Sequence, residues 1–268
     1  MGEGPMTRSM PSTPNPLRLT YIGGPTALLE YGGLRFLTDP TFDAAGTDYP
    51  TPVYTLHKTQ APAFSAEHLG KVDAILLSHD HHFDNLDHAG REALAAARVV
   101  FTTRDGAQRL GGNAEGLLAW DKRTLPSPDG QTVELTATPA RHGPAGGDRG
   151  PVVGFVLTAP GAPVVYVSGD TVWYEGVVEV GQGFSVDVAV LNAGAAKVAV
   201  AGPSPLTFTA ADTVTLARAW PKTVIVPLHF EGWTHFSEGA AELREAFARA
   251  GLASRLRWAP PGVPTVVP

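Results

Sequence analysis

Three histidines and three aspartates lie within nine residues, in the segment 79–87, which reads His-Asp-His-His-Phe-Asp-Asn-Leu-Asp. Neighbouring carboxylates repel one another, and several imidazoles beside them are difficult to satisfy unless a cation is present. Neutral histidine nitrogens and aspartate oxygens are both good ligands for zinc or manganese. The ordinary alternative is a polar loop that opens a helix, with Asp84 or Asn85 as the N-cap. That alternative explains one carboxylate or amide but not three histidines, so the segment predicts a site for a divalent metal.

The histidine-rich segment follows an apolar run, 72–77, that is typical of a buried strand. Four other residues that can bind a metal also stand at or just after predicted strands. They are Asp39, His142, Asp170 and His229. Taken singly, each has an ordinary explanation, because aspartates favour turns and a lone histidine near a strand is usually structural. Together they predict that several strands end at one site, at a single sheet edge.

The composition limits both the kind of site and the kind of partner. The chain has 268 residues, no cysteine and a formal net charge of −6. Without cysteine there are no disulfides, thiolate zinc ligands or cysteine nucleophiles, so histidine, aspartate and glutamate must hold any metal. The negative charge argues against a nucleic-acid partner. No apolar run predicts a signal peptide or a membrane span. We expect a cytoplasmic protein with a small-molecule substrate, and the sequence predicts no oligomeric state.

Short apolar runs separated by turns predict the elements that position these residues. Residues 1–16 contain no such run and are expected to form a flexible tail, which leaves 17–268 as a single domain. Strands followed by helices are predicted in both halves of the chain, with one helix over 86–97. Ser237 is predicted to cap the last helix, which extends to Ala250. The pattern predicts an α/β protein in which two sheets pack face to face with helices outside.

Five short motifs, in this order, resemble those of the metallo-β-lactamase superfamily. They are Leu37-Thr38-Asp39-Pro40, the segment from His79 to Asn85, His142, Tyr166-Val167-Ser168-Gly169-Asp170-Thr171 and His229. Within the superfamily, the chain resembles the branch that contains L-ascorbate-6-phosphate lactonase and N-acyl-phosphatidylethanolamine phospholipase D. The resemblance implies an αββα sandwich of two mixed β-sheets with helices on the outer faces. It also implies a hydrolase that uses metal-bound hydroxide.

The second motif of the family, His-x-His-x-Asp-His, occurs here in altered form. Read from its start, His79-x-His81 fits, but the expected aspartate then falls on Phe83. Read from its end, His82-x-Asp84 fits without an insertion. One extra residue in the loop, His81, reconciles the two readings. The ligands are then His79, His82 and Asp84.

Two alternatives remain open in this motif. Asp80 replaces His79 as a ligand if the loop has no insertion. His81 replaces His82 if the first histidine pair is kept. In either case Asn85 stands where the family usually has a histidine for a second metal. Because an amide oxygen is a poorer zinc ligand than imidazole, we expect one or two ions of zinc or manganese per chain.

The resemblance also implies roles for the residues around the metal. Asp84 and Asp170 are the expected catalytic residues, and Asp84 is the candidate for proton transfer. Asp39 is expected to orient a histidine from behind, with Asn85 beside it. The implied ligands are His79, His82 and His142 for a first ion, Asp84 and His229 for a second ion, and Asp170 as a bridge between the two.

Arg141, Trp233 and His235 flank the proposed ligands and are expected to contact the substrate. The sequence favours metal-dependent hydrolysis of an ester, lactone or phosphodiester bond in a small molecule. One alternative is a nuclease of the same fold, which the acidic balance of charge disfavours. The other is a non-catalytic member of the fold that binds metal or keeps only its shape, which the altered second motif favours.

Overall fold

The computed structural model describes residues 16–268, so the expected tail, apart from Pro16, lies outside the described residues. The strands are β1 (Leu17–Gly23), β2 (Thr26–Tyr31), β3 (Leu34–Thr38), β4 (Asp48–Pro50), β5 (Thr55–His57), β6 (Val72–Leu76), β7 (Ala97–Thr103), β8 (Ala114–Leu117), β9 (Lys122–Pro126), β10 (Thr132–Pro139), β11 (Val153–Thr158), β12 (Val165–Val167), β13 (Val188–Asn192), β14 (Val224–Leu228) and β15 (Thr265–Val267). The α-helices are α1 (His88–Ala93), α2 (Arg104–Leu110), α3 (Glu175–Gly183), α4 (Ala210–Ala219) and α5 (Ala240–Arg249).

Most strands belong to two mixed sheets. The first sheet has seven strands in the order β15-β1-β2-β3-β6-β7-β8, and the second has six in the order β14-β13-β12-β11-β10-β9. Strands β3, β6, β7 and β8 run parallel to their neighbours in that series, as do β12, β13 and β14. The other neighbouring pairs are antiparallel. Strands β4 and β5 form a separate hairpin.

The two sheets pack face to face around one apolar core. Leu19 and Phe36 of the first sheet belong to the same buried cluster as Leu135 and Phe155 of the second sheet. Full burial of a side chain of this size stabilises the fold by about 1.5–3 kcal/mol. The alternating sequence of β10 follows from this packing, because Val133, like Leu135, faces the core while Glu134 is partly exposed.

Helices cover the outer faces of both sheets. Val177 of α3, Leu216 of α4 and Phe247 of α5 are buried in a cluster with Tyr166 and Ile225 of the second sheet. A third cluster joins the outer face of the first sheet to α1 and the turn after it, and includes Ile75, Val100 and Leu94 with Ala89 packed against them. The predicted αββα sandwich is therefore confirmed.

Parallel strands place their carboxyl ends at the same edge of each sheet. Strands β6 and β13 are buried at every position, which explains why they are mostly apolar, with Asp73 in β6 and Asn192 at the end of β13 as the exceptions. Polar residues stand within three residues of these strand ends: Asp39 after β3, Ser78 and His79 after β6, Asp170 after β12, and His229 after β14. The chain therefore delivers its titratable side chains to one edge, as predicted.

Two predicted helix starts are wrong. The helix predicted over 86–97 begins at His88, because Asp87 is its N-cap and accepts a hydrogen bond from Gly90 N at 2.8 Å. Ser237 does not cap the last helix, since its hydroxyl donates instead to the Ala195 carbonyl at 2.7 Å. The longest helices have ten residues. Within 16–268, no helix combines the length and apolarity that crossing a membrane requires.

Candidate metal centre

Three imidazole rings converge where β6 and β10 end. The Nε2 atom of His79 lies 2.9 Å from Nδ1 of His82, and Nε2 of His142 lies 3.2 Å from the same Nδ1. His79 and His142 are buried. Burial and the neighbouring His142 lower the pKa of His82 to about 3, and burial also lowers the pKa of His79, so these two rings are neutral at pH 7. Three histidine rings whose nitrogens converge at these distances offer the donor set that a divalent cation binds.

The ring of His79 is fixed from behind by Ser78 and Asp39. The Ser78 hydroxyl donates to Asp39 Oδ2 at 2.8 Å, and the Ser78 amide donates to Asp39 Oδ1 at 2.6 Å. Because its proton is committed to Asp39, the hydroxyl oxygen accepts from His79 Nδ1, 2.9 Å away. The proton of His79 is thus held on Nδ1, and Nε2 keeps the lone pair that a metal needs.

The His142 ring is held in the same way by a backbone carbonyl. Its Nδ1 atom donates to the Leu206 carbonyl at 2.8 Å, which leaves the lone pair of Nε2 directed at the cluster. No sequence pattern could reveal this contact, because any residue at position 206 offers the same carbonyl.

A second group of ligand atoms lies beside the first. Asp170 Oδ1 accepts from Asn192 Nδ2 at 2.7 Å and from His229 Nδ1 at 3.0 Å. Among the described residues, Asp170 Oδ2 and His229 Nε2 are buried without a hydrogen-bond partner. Asp170 Oδ2 is 3.6 Å from His142 Nε2, and His229 Nε2 is 3.6 Å from Asp84 Oδ2. Two buried polar atoms facing other ligands without partners indicate space for a cation.

Asp84 lies between the second group of ligand atoms and His235. Its Oδ2 atom lies 2.9 Å from Nε2 of His235. Burial alone would raise the pKa of Asp84, but His235 and His229 hold it below its ordinary value. Asp84 is therefore an ionised carboxylate at neutral pH, and it can bind a cation or accept a proton.

Asn85 contacts Asp39 behind the His79 ring. Its amide Nδ2 donates to Asp39 Oδ2 at 3.1 Å, and its Oδ1 is buried without a partner in the described part of the chain. Burial and the charge of Asp170 raise the pKa of Asp39 to about 7. Asn85 and Asp39 thus support His79 from behind.

The two open alternatives in the second motif lie at the margin of the cluster. Both carboxylate oxygens of Asp80 are bound by Arg109, with Nε at 2.8 Å from Oδ2 and Nη2 at 2.5 Å from Oδ1. His81 Nε2 lies 2.8 Å from the Arg149 carbonyl. His81 keeps a ring nitrogen within reach of His79 and His82, but Asp80 is in none of the groups that could hold an ion.

A narrow cleft opens onto the ligands, with a cavity volume of about 10 Å³. This is about the volume that one water molecule requires, far below the roughly 300–1,000 Å³ of typical ligand pockets. The cleft is lined by Tyr54, Leu56, His82, Asp84, His142, Arg149, Ala196, Val198, Leu206 and His235.

Of the three predicted substrate contacts, His235 lines this cleft and the other two do not. Arg141 stacks on the ring of Tyr174 and pairs with Glu175 at 3.6 Å. Trp233 is buried and packs against the ring of Tyr49, with centroids 5.4 Å apart. The residues that sequence reasoning missed reach the cleft from distant loops, and they include Tyr54, Leu56, Val198 and Arg149.

The backbone is strained at two of the site residues. Asp39 has a φ of 24° and His229 a φ of 52°, in the region that residues other than glycine rarely adopt. The His229 amide donates to the Gly24 carbonyl at 2.7 Å, which fixes this turn. Such strain persists only where the surrounding structure enforces it, and it concentrates at functional sites.

Similarity to known proteins identifies the class to which this fold and this site belong. The beta-lactamase superfamily domain matches residues 34–230. The chain therefore belongs to the beta-lactamase superfamily. It is 25% identical over 253 residues to the UPF0173 protein YddR of Bacillus subtilis (strain 168), covering 90% of this chain and 96% of that protein. It is 29% identical over 255 residues to a UPF0173 metal-dependent hydrolase of Pelotomaculum thermopropionicum, covering 92% and 98%.

Solved structures with the same fold extend over nearly the whole chain. The isothiocyanate hydrolase from Delia radicum gut bacteria superposes with a TM-score of 0.81 and 26% identity, covering 93% of this chain and 98% of that one. A possible metal-dependent hydrolase from Veillonella parvula superposes with a TM-score of 0.80 and 19% identity, covering 94% and 100%. At 19% identity, the likeness to the Veillonella parvula protein concerns the fold alone.

Proposed function

We propose that the protein is a metal-dependent hydrolase that cleaves an ester or lactone bond of a small, largely uncharged molecule. The observation that carries the proposal is the pair of buried, unpartnered atoms, Asp170 Oδ2 and His229 Nε2, beside three converging imidazole nitrogens. Atoms of this kind are costly to bury unless a ligand satisfies them. The superfamily and the relatives named as metal-dependent hydrolases support the same conclusion.

The donor atoms fit zinc or manganese. His79, His82 and His142 would hold one ion, and Asp84 and His229 would hold a second, with Asp170 between the two. Such an ion lowers the pKa of a bound water to about 7 and polarises the substrate oxygen. Asn85 supports the first group of ligands from behind, because its Nδ2 donates to Asp39 Oδ2.

Asp84 and His235 supply the proton chemistry of this chain. Asp84 is an ionised, buried carboxylate, so it can accept the proton of the attacking water. His235 Nε2 donates to Asp84 Oδ2 at 2.9 Å and fixes the direction of that carboxylate. Since both residues line the cleft, a proton accepted by Asp84 can pass to the leaving group of the substrate.

The residues that line the cleft favour some of the candidate substrate bonds over others. Leu56, Val198 and Leu206 offer apolar surface, and Arg149 is the one lysine or arginine among the lining residues. A phosphodiester anion requires several donors around its oxygens, whereas an uncharged ester or lactone does not. The cleft therefore favours the ester or lactone over the phosphodiester, and the acidic net charge disfavours the nuclease alternative.

A second candidate reaction is the hydrolysis of an isothiocyanate. An isothiocyanate is small, uncharged and electrophilic at carbon, so it suits the same apolar cleft. The likeness to an isothiocyanate hydrolase over 93% of the chain favours it specifically. Asp84 would accept the proton of the attacking water and pass it to the isothiocyanate nitrogen, giving a thiocarbamic acid that breaks down to the amine and carbonyl sulfide, and His235 would again hold Asp84 in place.

The proposal is tested with protein loaded with zinc or manganese. We expect turnover of p-nitrophenyl acetate, a γ-lactone or phenethyl isothiocyanate, and little turnover of bis-p-nitrophenyl phosphate or labelled RNA. His142→Ala should abolish the activity, whereas His68→Ala, which removes a histidine outside the cluster, should retain it. Metal-loaded protein that hydrolyses none of these compounds would refute the proposal and support a non-catalytic role.

A further inference from the structure

A second pocket adjoins His82 outside the cleft, with a cavity volume of about 250 Å³. It is lined by Asp80, His81, His82, Phe83, Arg91 and Arg109, and it shares only His82 with the cleft. Its volume is close to the lower end of the range for ligand pockets, whereas the cleft has room for about one water molecule. Apart from His82 as a metal ligand, the residues of this pocket have no task in the proposed reaction.

The accessible wall of this pocket is positively charged. Asp80 is the one acidic residue among those that line it. The Asp80 side chain is only 3% exposed, and Arg109 binds both of its carboxylate oxygens, so its charge is compensated and largely hidden from solvent. The Arg109 side chain, by contrast, is 48% exposed. A ligand that enters the pocket therefore meets guanidinium rather than carboxylate.

Arg91 brings a second guanidinium, and no carboxylate compensates its charge. Its Nη2 donates to the Asp80 backbone carbonyl at 3.1 Å, which holds the side chain beside Asp80. Within residues 16–268, Arg91 forms no ion pair, although the whole chain has a net charge of −6. A guanidinium presents its donors in a planar fork that matches the oxygens of an oxyanion. Two such groups beside one pocket favour an anionic ligand.

His82 adds a donor when its Nδ1 binds a metal, because the neutral ring then carries its proton on Nε2. The second nitrogens of the other two imidazole ligands contact Ser78 Oγ and the Leu206 carbonyl. His82 Nε2 has no hydrogen-bond partner in the described part of the chain. Metal-binding histidines almost always donate this proton to a carboxylate, a carbonyl or a water. An anion in the pocket that His82 lines would provide the acceptor.

We infer that this pocket binds a small inorganic oxyanion of the sulfate or phosphate class, between Arg91 and Arg109 and beside His82. The inference goes beyond the proposed reaction, because the pocket lies outside the cleft where the substrate would react. A negative charge beside His82 also stabilises a cation that the same ring holds. By linkage, the anion and the metal raise each other's affinity by the same factor.

Calorimetric titration of sulfate into metal-free full-length protein, at constant ionic strength, tests the pocket itself. We expect saturable binding of one sulfate per chain. In Arg91→Gln, which leaves Asp80 paired with Arg109, the Kd for sulfate should rise about tenfold through loss of a charge-assisted hydrogen bond. Arg244→Gln is the matched control, because Arg244 is also a helical arginine but stacks on Trp258 away from the pocket, and it should bind sulfate as the unaltered protein does. No saturable binding, or an equal Kd in Arg91→Gln, would overturn the inference.

Zinc titrations with and without saturating sulfate test the link to the metal centre. We expect sulfate to lower the Kd for zinc about tenfold, as a partner behind a metal-binding histidine does. Arg91→Gln should lose most of this effect, whereas Arg244→Gln should keep it. A zinc affinity that does not respond to sulfate would overturn the placement of the anion beside His82. Protein that binds sulfate but no zinc would refute the proposed function and leave the oxyanion pocket in place.

Discussion

The variant Ser78→Ala tests whether the hydrogen bonds behind His79 support metal binding, because Ser78 is not itself a proposed ligand. The Ser78 hydroxyl accepts from His79 Nδ1 at 2.9 Å and donates to Asp39 Oδ2 at 2.8 Å. All three residues are buried. Without the hydroxyl, the Nδ1 proton of His79 loses its acceptor, and the ring can instead carry its proton on Nε2. That form cannot bind a metal through Nε2.

The size of the effect follows from these two contacts. Removal of a hydrogen-bond partner behind a metal-binding histidine lowers metal affinity about 10–100-fold. A buried donor left without an acceptor costs about 1–3 kcal/mol. We therefore expect the Kd for zinc to rise about 10–100-fold, and the free energy of unfolding of the metal-free protein to fall by about 1–3 kcal/mol.

Competition with a chromophoric chelator measures the zinc affinity, and urea unfolding measures the stability. Thr223→Val is the matched control, because the Thr223 hydroxyl is also buried and donates to the Val186 carbonyl at 2.6 Å, away from the site. This control should lose stability but bind zinc as the unaltered protein does. An unchanged zinc affinity in Ser78→Ala would refute the role of the Asp39–Ser78–His79 contacts.

Three further predictions concern the ligands, the proton chemistry and the pH dependence of stability. Asp170→Asn should lower the metal content measured by elemental analysis while circular dichroism shows a folded chain, and full metal content would contradict this. His235→Phe removes the 2.9 Å contact with Asp84 and should lower kcat about 10–100-fold with metal content retained. An unchanged kcat would refute the proposal that His235 positions Asp84. Burial raises the pKa of Asp43, but the Tyr49 hydroxyl and two backbone amides hold it below its ordinary value. Asp43 therefore stabilises the folded state above about pH 4 and loses this contribution as the pH falls. Urea unfolding between pH 7 and pH 3 should show a weaker acid dependence in Asp43→Asn, and an equal dependence would refute the assignment.

The residues at strand ends were predictable because parallel strands deliver their carboxyl ends to one edge. Asp39, His79, Asp170 and His229 each follow a mostly apolar run in the sequence, His142 follows the alternating run 132–139, and the structure brings all five together. The two-sheet sandwich followed from the same runs, since a strand that is apolar throughout must be covered on both faces.

The residues that line the cleft could not be predicted, because they depend on how distant loops pack. Arg149 lines the cleft while Arg141, adjacent to His142, turns to Tyr174 instead. The sequence leaves Asp80 open as the alternative to His79, but Arg109, 29 residues away along the chain, binds both carboxylate oxygens of Asp80. Contacts of this kind depend on three-dimensional packing, which spacing in the sequence does not encode.

Anomalous diffraction from crystals of zinc-loaded protein tests the central claim most directly. We predict a peak about 2.0–2.1 Å from His79 Nε2, His82 Nδ1 and His142 Nε2. A second peak should lie between Asp84, Asp170 and His229 if both ions bind. Absence of any peak at the three imidazoles, or a metal held by Asp80 in place of His79, would contradict the account.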